Sequence, residues 1–242
     1  MQNIDIAVPK EKELRLFSVI TGLFVASLII SNVASSGKIV ALGPLTLPGG
    51  AILFPISYIF GDILTEVYGF ALSRKIIWTG FACLVLAALT FWIVGVLPGA
   101  SFWNDQATYD KVLGFVPRIV VASMAAYFLG EFGNSWVLSK MKYWDRGKRG
   151  IKQAWRFIAS TIVGEGIDSV VFMVIAFTGK LTVSEMITTG GTLYLFKVLY
   201  EIIATPISVR FAEWVKRIEG VDHIDYPEYT DYNPFTLATS RK

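Results

Sequence analysis

The chain has 242 residues, of which 54% are hydrophobic and 14% aromatic, with a mean hydropathy of +0.55 and a formal net charge of +3. That composition excludes an ordinary soluble domain and points to a polytopic membrane protein, because the apolar residues fall in blocks of about 18 to 25, the length that crosses a ~30 Å hydrocarbon core. The lone Cys83 excludes an internal disulfide and a cysteine metal site, and the small net charge is no sign of a nucleic-acid partner.

Residues 1–13 mix charges of both signs and lack a cleavage-like run of small residues, so they read as a cytoplasmic segment with no signal peptide. Hydropathy then places six spans, at 14–34, 47–70, 75–97, 118–138, 155–178 and 187–210. The fold class is all-α and polytopic, with one six-helix membrane domain over 14–215 and a cytoplasmic tail at 216–242. Positive charge tests this topology: 17 of the 22 Lys and Arg fall on one side, which is expected to be cytoplasmic with both termini. On the other side, residues 35–50 carry Gly43-Pro44 and Pro48-Gly49-Gly50 and read as a turn-rich hairpin or re-entrant segment. The loop at 98–117 is expected to form a short surface helix capped by Asn104 or Asp105. The basic loop from Lys140 to Arg156 reads as the topology determinant that the positive-inside rule requires, with Tyr143, Trp144 and Trp155 as interfacial anchors. The tail from Glu219 is polar, acidic and aromatic, and either stays loose or docks on the loops.

Polar residues at membrane depth carry the functional signal, since buried charges there face a protein interior or a hydrated cavity. The second span holds Asp62 and Glu66 four residues apart, with Tyr58 and Phe54 on the same helical face. Ser31 and Asn32 close the first span, Glu131 and Asn134 lie in the fourth, Glu165 and Asp168 in the fifth, and Lys197 and Glu201 in the sixth. Convergence into one cavity is the economical arrangement. Asp62, Glu66, Glu131, Glu165, Asp168 and Glu201 face only Lys197, so some of them must be protonated, hydrated or paired. Lys197 and Glu201, at i and i+4, can also pair within their helix, and Glu66 near the basic end can be an interfacial charge or a gate. Pro55 inside the span suggests a kinked or broken helix lining the cavity, and Ala122, Ala126 and Gly130 read as a tight packing seam.

Enzyme chemistry is not expected. The only histidine, His223, lies in the tail, so no span supplies a histidine metal site, dyad or relay. The Gly-x-Gly-Asp pattern of aspartyl intramembrane proteases and a Gly-rich phosphate loop are both absent, so no catalytic residue, metal or cofactor is assigned.

The run Phe54-Pro55-Ile56-Ser57-Tyr58, followed by Gly61-Asp62 and Glu66-Val67-Tyr68-Gly69, resembles the signature of the queuosine precursor transporter family, also called the vitamin uptake transporter family. Ser31-Asn32, Gly164-Glu165 with Asp168, Phe196-Lys197 and Asn233-Pro234-Phe235 extend that resemblance over nearly the whole chain. It implies a six-helix architecture similar to the substrate-binding subunits of energy-coupling-factor transporters. It also implies import of 7-cyano-7-deazaguanine and 7-aminomethyl-7-deazaguanine across the cytoplasmic (inner) membrane. A binding subunit that needs a separate ATP-driven complex, for a vitamin or another purine-like base, is the alternative. Against such a base, Asp168 or Glu165 can accept the N1 and 2-amino hydrogens, and Tyr58, Phe172 or Tyr194 can offer a ring face. Asn32 or Lys197 can donate to O6, and Asp62 or Glu66 can meet a cationic aminomethyl group, with Glu131 completing the acidic wall. The expected partners are the small-molecule base and membrane lipid, with a homodimer as a further option.

Overall fold

The computed structural model describes residues 14–37, 39–42, 45–113, 117–179 and 182–236; the expected N-terminal segment at 1–13 lies outside them. The chain forms helices α1 (Phe17–Gly37), α2 (Phe54–Tyr68), α3 (Phe70–Val96), α4 (Gln106–Leu113), α5 (Pro117–Trp144), α6 (Ile151–Phe177) and α7 (Val183–Glu219). Between α1 and α2, β1 (Ile39–Leu42) and β2 (Leu45–Pro48) make the hairpin expected there, antiparallel with Ile39 opposite Pro48. Four helical stretches are long and apolar enough to cross a membrane: Phe17–Ala34, Phe70–Val96, Ile151–Ile175 and Val183–Glu219. Their outward side chains include Leu86, Trp92, Val170, Val174, Ile203 and Ile207, all exposed, as a lipid-facing surface requires.

The expected span at 47–70 is not one helix. It divides into strand β2, a 3-10 turn over Gly49–Ile52 and the 15-residue α2, shorter than the ~20 residues needed to cross a bilayer. Every residue from Gly61 to Phe70 is buried, so α2 is the centre of the bundle, packed by α1, α3, α5 and α7. Pro55 does not kink it: proline sits in the first turn, where its missing N–H would have had no partner. The irregular backbone lies before the proline, in the 3-10 turn. Gly69, with φ of 86°, ends α2 and lets α3 start at once, and a side chain there would meet the ring of His223. A proline inside a helix occurs instead at Pro206 of α7.

Helices α5 and α6 approach most closely through the small-residue seam. Ala122 and Ala126 are fully buried, and a Cβ on Gly130 would lie 2.9 Å from the Gly164 carbonyl and 2.5 Å from the Tyr58 hydroxyl. Gly130→Ala is therefore expected to destabilise the fold by about 1–3 kcal/mol through overpacking, read as a lower thermal midpoint in detergent. The short surface helix at 98–117 is also present, as α4, with Thr108 and Tyr109 N–H groups bonding the Asp105 carbonyl.

The tail docks. Glu219 accepts the backbone N–H groups of Arg15 and Leu16 at the start of α1, together with the Tyr68 hydroxyl. Asp225 accepts the Phe70 N–H (2.9 Å) and the Ser139 hydroxyl (2.6 Å), satisfying the first turn of α3. Beyond it, Arg74 donates to the carbonyls of Asp231 and Asn233, and the Trp78 indole to that of Pro234. Burial pushes the Asp225 carboxyl up, but His223, Ser139 and the Phe70 N–H outweigh it and hold the group below the usual carboxylate range. A depressed folded-state value stabilises above the unfolded value of about 3.9 and is lost as pH falls through the folded one. Protection of 221–236 from protease is thus expected to be constant from neutrality to about pH 5 and to fail only in stronger acid.

Candidate functional site

Four helices bring acids of the sequence reading together inside the bundle. Tyr58 and Asp62 come from α2, Glu131 and Asn134 from α5, Glu165 and Asp168 from α6, and Lys197 and Glu201 from α7. Asp62, Glu131 and Asn134 are 0% exposed, Glu165 and Glu201 1%, and Asp168 5%, so the arrangement is closed to solvent. Lys197 Nζ lies 2.6 Å from Asp168 Oδ2 and 2.8 Å from Glu165 Oε2, and 4.4 Å from the centre of the Phe54 ring. The lysine therefore bridges two acids of the neighbouring helix, and the pairing with Glu201 on its own helix does not occur. Asn134 Nδ2 donates to Asp62 Oδ1 at 2.6 Å, tying α5 to α2. Above these groups the rings of Phe54, Tyr58 and Tyr127 pack on one another with centroids 5.7 to 5.9 Å apart.

The remaining acidic atoms are less engaged. Among the described residues, Asp62 Oδ2 and both oxygens of Glu201 make no hydrogen bond, and Glu131 faces the neutral Tyr127 hydroxyl with no cation paired to it. Glycine makes the space for Glu131: a Cβ on Gly61 of α2 would overlap its carboxylate.

Glu66 belongs elsewhere. One turn beyond Asp62, its fully buried carboxylate meets Arg156 Nη2 at 2.6 Å, Lys216 Nζ at 2.7 Å and Lys142 Nζ at 3.8 Å. Lys142 also donates to the Glu66 carbonyl, and the cluster continues to Asp145, Glu213 and Asp222. Neither an interfacial charge nor an open gate, Glu66 is the anionic centre of an internal ionic knot. Its partners include two cations of the basic stretch Lys140 to Arg156: Lys142 and Arg156 are buried, while Trp144 and Trp155 are exposed.

The other expected residues scatter. Asn32 spends its amide on the Leu28 carbonyl of α1 and lines a small cleft with Ile29, Val33, Leu84, Ala88 and Met124. That cleft lies between α1, α3 and α5, apart from the acids, although Met124 shares a face of α5 with Glu131 seven residues on. The Tyr194 hydroxyl bonds the Ile162 carbonyl, and Phe172 is half-buried one turn past Asp168. The sequence reading missed Tyr127, which is 2% exposed and one turn before Glu131; the i, i+4 spacing was its available signal.

Long apolar helices around a buried, charged interior define the class: a multi-pass helical membrane protein. Within that class, the chain belongs to the family described as "Putative vitamin uptake transporter", which matches residues 48–211 and leaves the docked tail outside. It is similar to a "Probable queuosine precursor transporter" of Bacillus subtilis (strain 168), at 30% identity over 172 residues, 70% of this chain and 73% of that protein. It is also similar to a "Queuosine precursor transporter" of Escherichia coli (strain K12), at 27% identity over 191 residues, 75% of this chain and 81% of that one. No solved structure matches.

Proposed function

We propose that the chain is a carrier that imports 7-deazaguanine queuosine precursors, 7-cyano-7-deazaguanine and 7-aminomethyl-7-deazaguanine, across the cytoplasmic membrane. The observation that carries this reading is the Glu165/Asp168/Lys197 group beneath the rings of Phe54, Tyr58 and Tyr127. Family membership and the names of the relatives support the same cargo. A guanine-like edge offers two parallel N–H donors, which a carboxylate held ionised by Lys197 accepts as a pair, and the third ammonium hydrogen of Lys197 serves O6. Asp62 stands one helix away for the cationic aminomethyl substituent. Glu66, already facing three cations, has no such role in this scheme.

Since the acids are closed to solvent, the bundle must open to admit a base, as in alternating access. Six membrane-embedded helices with both termini in the cytoplasm, an architecture like the energy-coupling-factor binding subunits, remain part of the proposal. Uptake of radiolabelled base into liposomes holding only the purified protein tests it. Accumulated or exchanged label is expected; saturable binding with no label crossing would instead indicate a subunit awaiting an ATP-driven complex.

A further inference from the structure

The carrier reading leaves Glu131 and Glu201 without work and uses Asp62 only for the aminomethyl base, and these three are the acids without a cationic partner. Lys197 is spent on Glu165 and Asp168, and Arg156, Lys216 and Lys142 on Glu66. The groups turned toward Glu131 from every helix around it are acidic or neutral, the lysine apart. They are Tyr58 and Asp62 on α2, Tyr127 and Asn134 on α5, Glu165 and Asp168 on α6, and Lys197 and Glu201 on α7. A second observation points to an exchangeable occupant: the fully buried Asn134 Oδ1 and Tyr58 hydroxyl also lack a hydrogen-bond partner among the described residues. The Asn134 carboxamide is turned into the acid group by its bond to Asp62.

An ionised carboxylate held this deep without a cation is strongly disfavoured, so each must hold a proton or face a bound cation. Metal is the poorer fit, since no three His, Cys, Asp or Glu among the described residues converge closely enough to hold an ion. We infer that Glu131, with Asp62 and Glu201 beside it, is a proton-binding site, and that protons cross the membrane with the cargo. This inference rests on the carrier reading and extends it to the energy source. In the closed bundle the carboxyls are protonated and neutral. When the site opens to water on the far side, each carboxylic acid O–H gives its proton to water and the hydrated carboxylate remains. Gly61, with no side chain against Glu131, makes the space that this carboxyl occupies in the closed bundle.

The test uses the full chain in proteoliposomes with a pH-sensitive dye inside and 7-cyano-7-deazaguanine, which carries no charge of its own, outside. Internal acidification that follows base entry, and faster entry when the outside is made acidic, are expected. In Glu131→Gln the protons moved per base fall to roughly two thirds or below, because one of three carboxyls that share the load is gone. If that variant does not fold, Glu201→Gln gives the same ratio measurement, and the wild-type dye signal decides by itself. Base that exchanges across the membrane with no acidification and no response to an imposed pH gradient overturns the inference while leaving the carrier intact. An unchanged proton-to-base ratio in both variants also overturns it. Absence of any base movement removes both.

Discussion

Replacing Glu66 with alanine is expected to destabilise the folded protein by about 3–5 kcal/mol, because it takes from three buried cations the one fully buried carboxylate they share. Arg156 and Lys216 have side chains only 1% exposed and Lys142 2%, and all three point at this one carboxylate. Their remaining partners do not replace it: Asp145, Asp222 and Glu213 sit at the margin with side chains 18 to 29% exposed. Thermal unfolding in detergent checks the expectation, and two comparisons sharpen it. Asp222→Ala removes a marginal charge and should cost far less, nearer the ~1 kcal/mol of a partly exposed pair. Adding Arg156→Ala to Glu66→Ala should recover part of the loss, since it removes one of the stranded charges, whereas independent effects would simply add. A Glu66→Ala protein as stable as wild type would show that the knot is not what closes this end of the bundle.

Asp62 and Glu66 show how far the sequence was readable. Their i, i+4 spacing correctly places both on one face of a helix, because helical period is a local property. Their opposite fates are not local. Asp62 meets Asn134, 72 positions away, while Glu66 meets Lys142, Arg156 and Lys216, 76, 90 and 150 positions away, and nothing in a single sequence ranks those cations above the adjacent Arg74. Arg74 turns out to serve carbonyls of the tail. The burial of Lys142 and Arg156 was not legible for a related reason: charge counting assigns a side to a loop but not a depth to a side chain. Long apolar helices were legible because lipid exposure demands continuous apolarity, as in α3. Span 47–70 was read as one helix because hydropathy is blind to hydrogen bonding, and a strand, a 3-10 turn and a helix score alike. Within the candidate site, which acids converge followed from burial of polar faces. Lys197 leaving its own helix for Glu165 and Asp168 did not, since the intrahelical pairing has the same spacing logic.

Lys197→Ala is expected to reduce base uptake about 10- to 100-fold, the worth of one charge-assisted hydrogen bond of roughly 1.5–3 kcal/mol lost from the loaded state. In the proposed scheme the lysine has two separable jobs: pairing with Glu165 and Asp168, and presenting a third N–H to the cargo carbonyl. Removing it leaves two buried acids that must take up protons, and a protonated carboxyl no longer accepts two parallel N–H bonds. Lys197→Arg keeps the charge but presents a planar fork in place of a compact ammonium, so uptake should fall while the fold is kept. The decisive variant is Lys197→Met with Asp168→Asn, which removes one charge of each sign. Were Lys197 and Asp168 present only to neutralise each other, this pair would restore the thermal midpoint and uptake together. The proposed recognition of the base requires a split: recovery of the midpoint without recovery of uptake. Full uptake by the double variant would move the base-recognising edge away from Asp168 and leave the acids without ion-pair support, Glu131, Asp62 and Glu201, as the groups that meet the cargo.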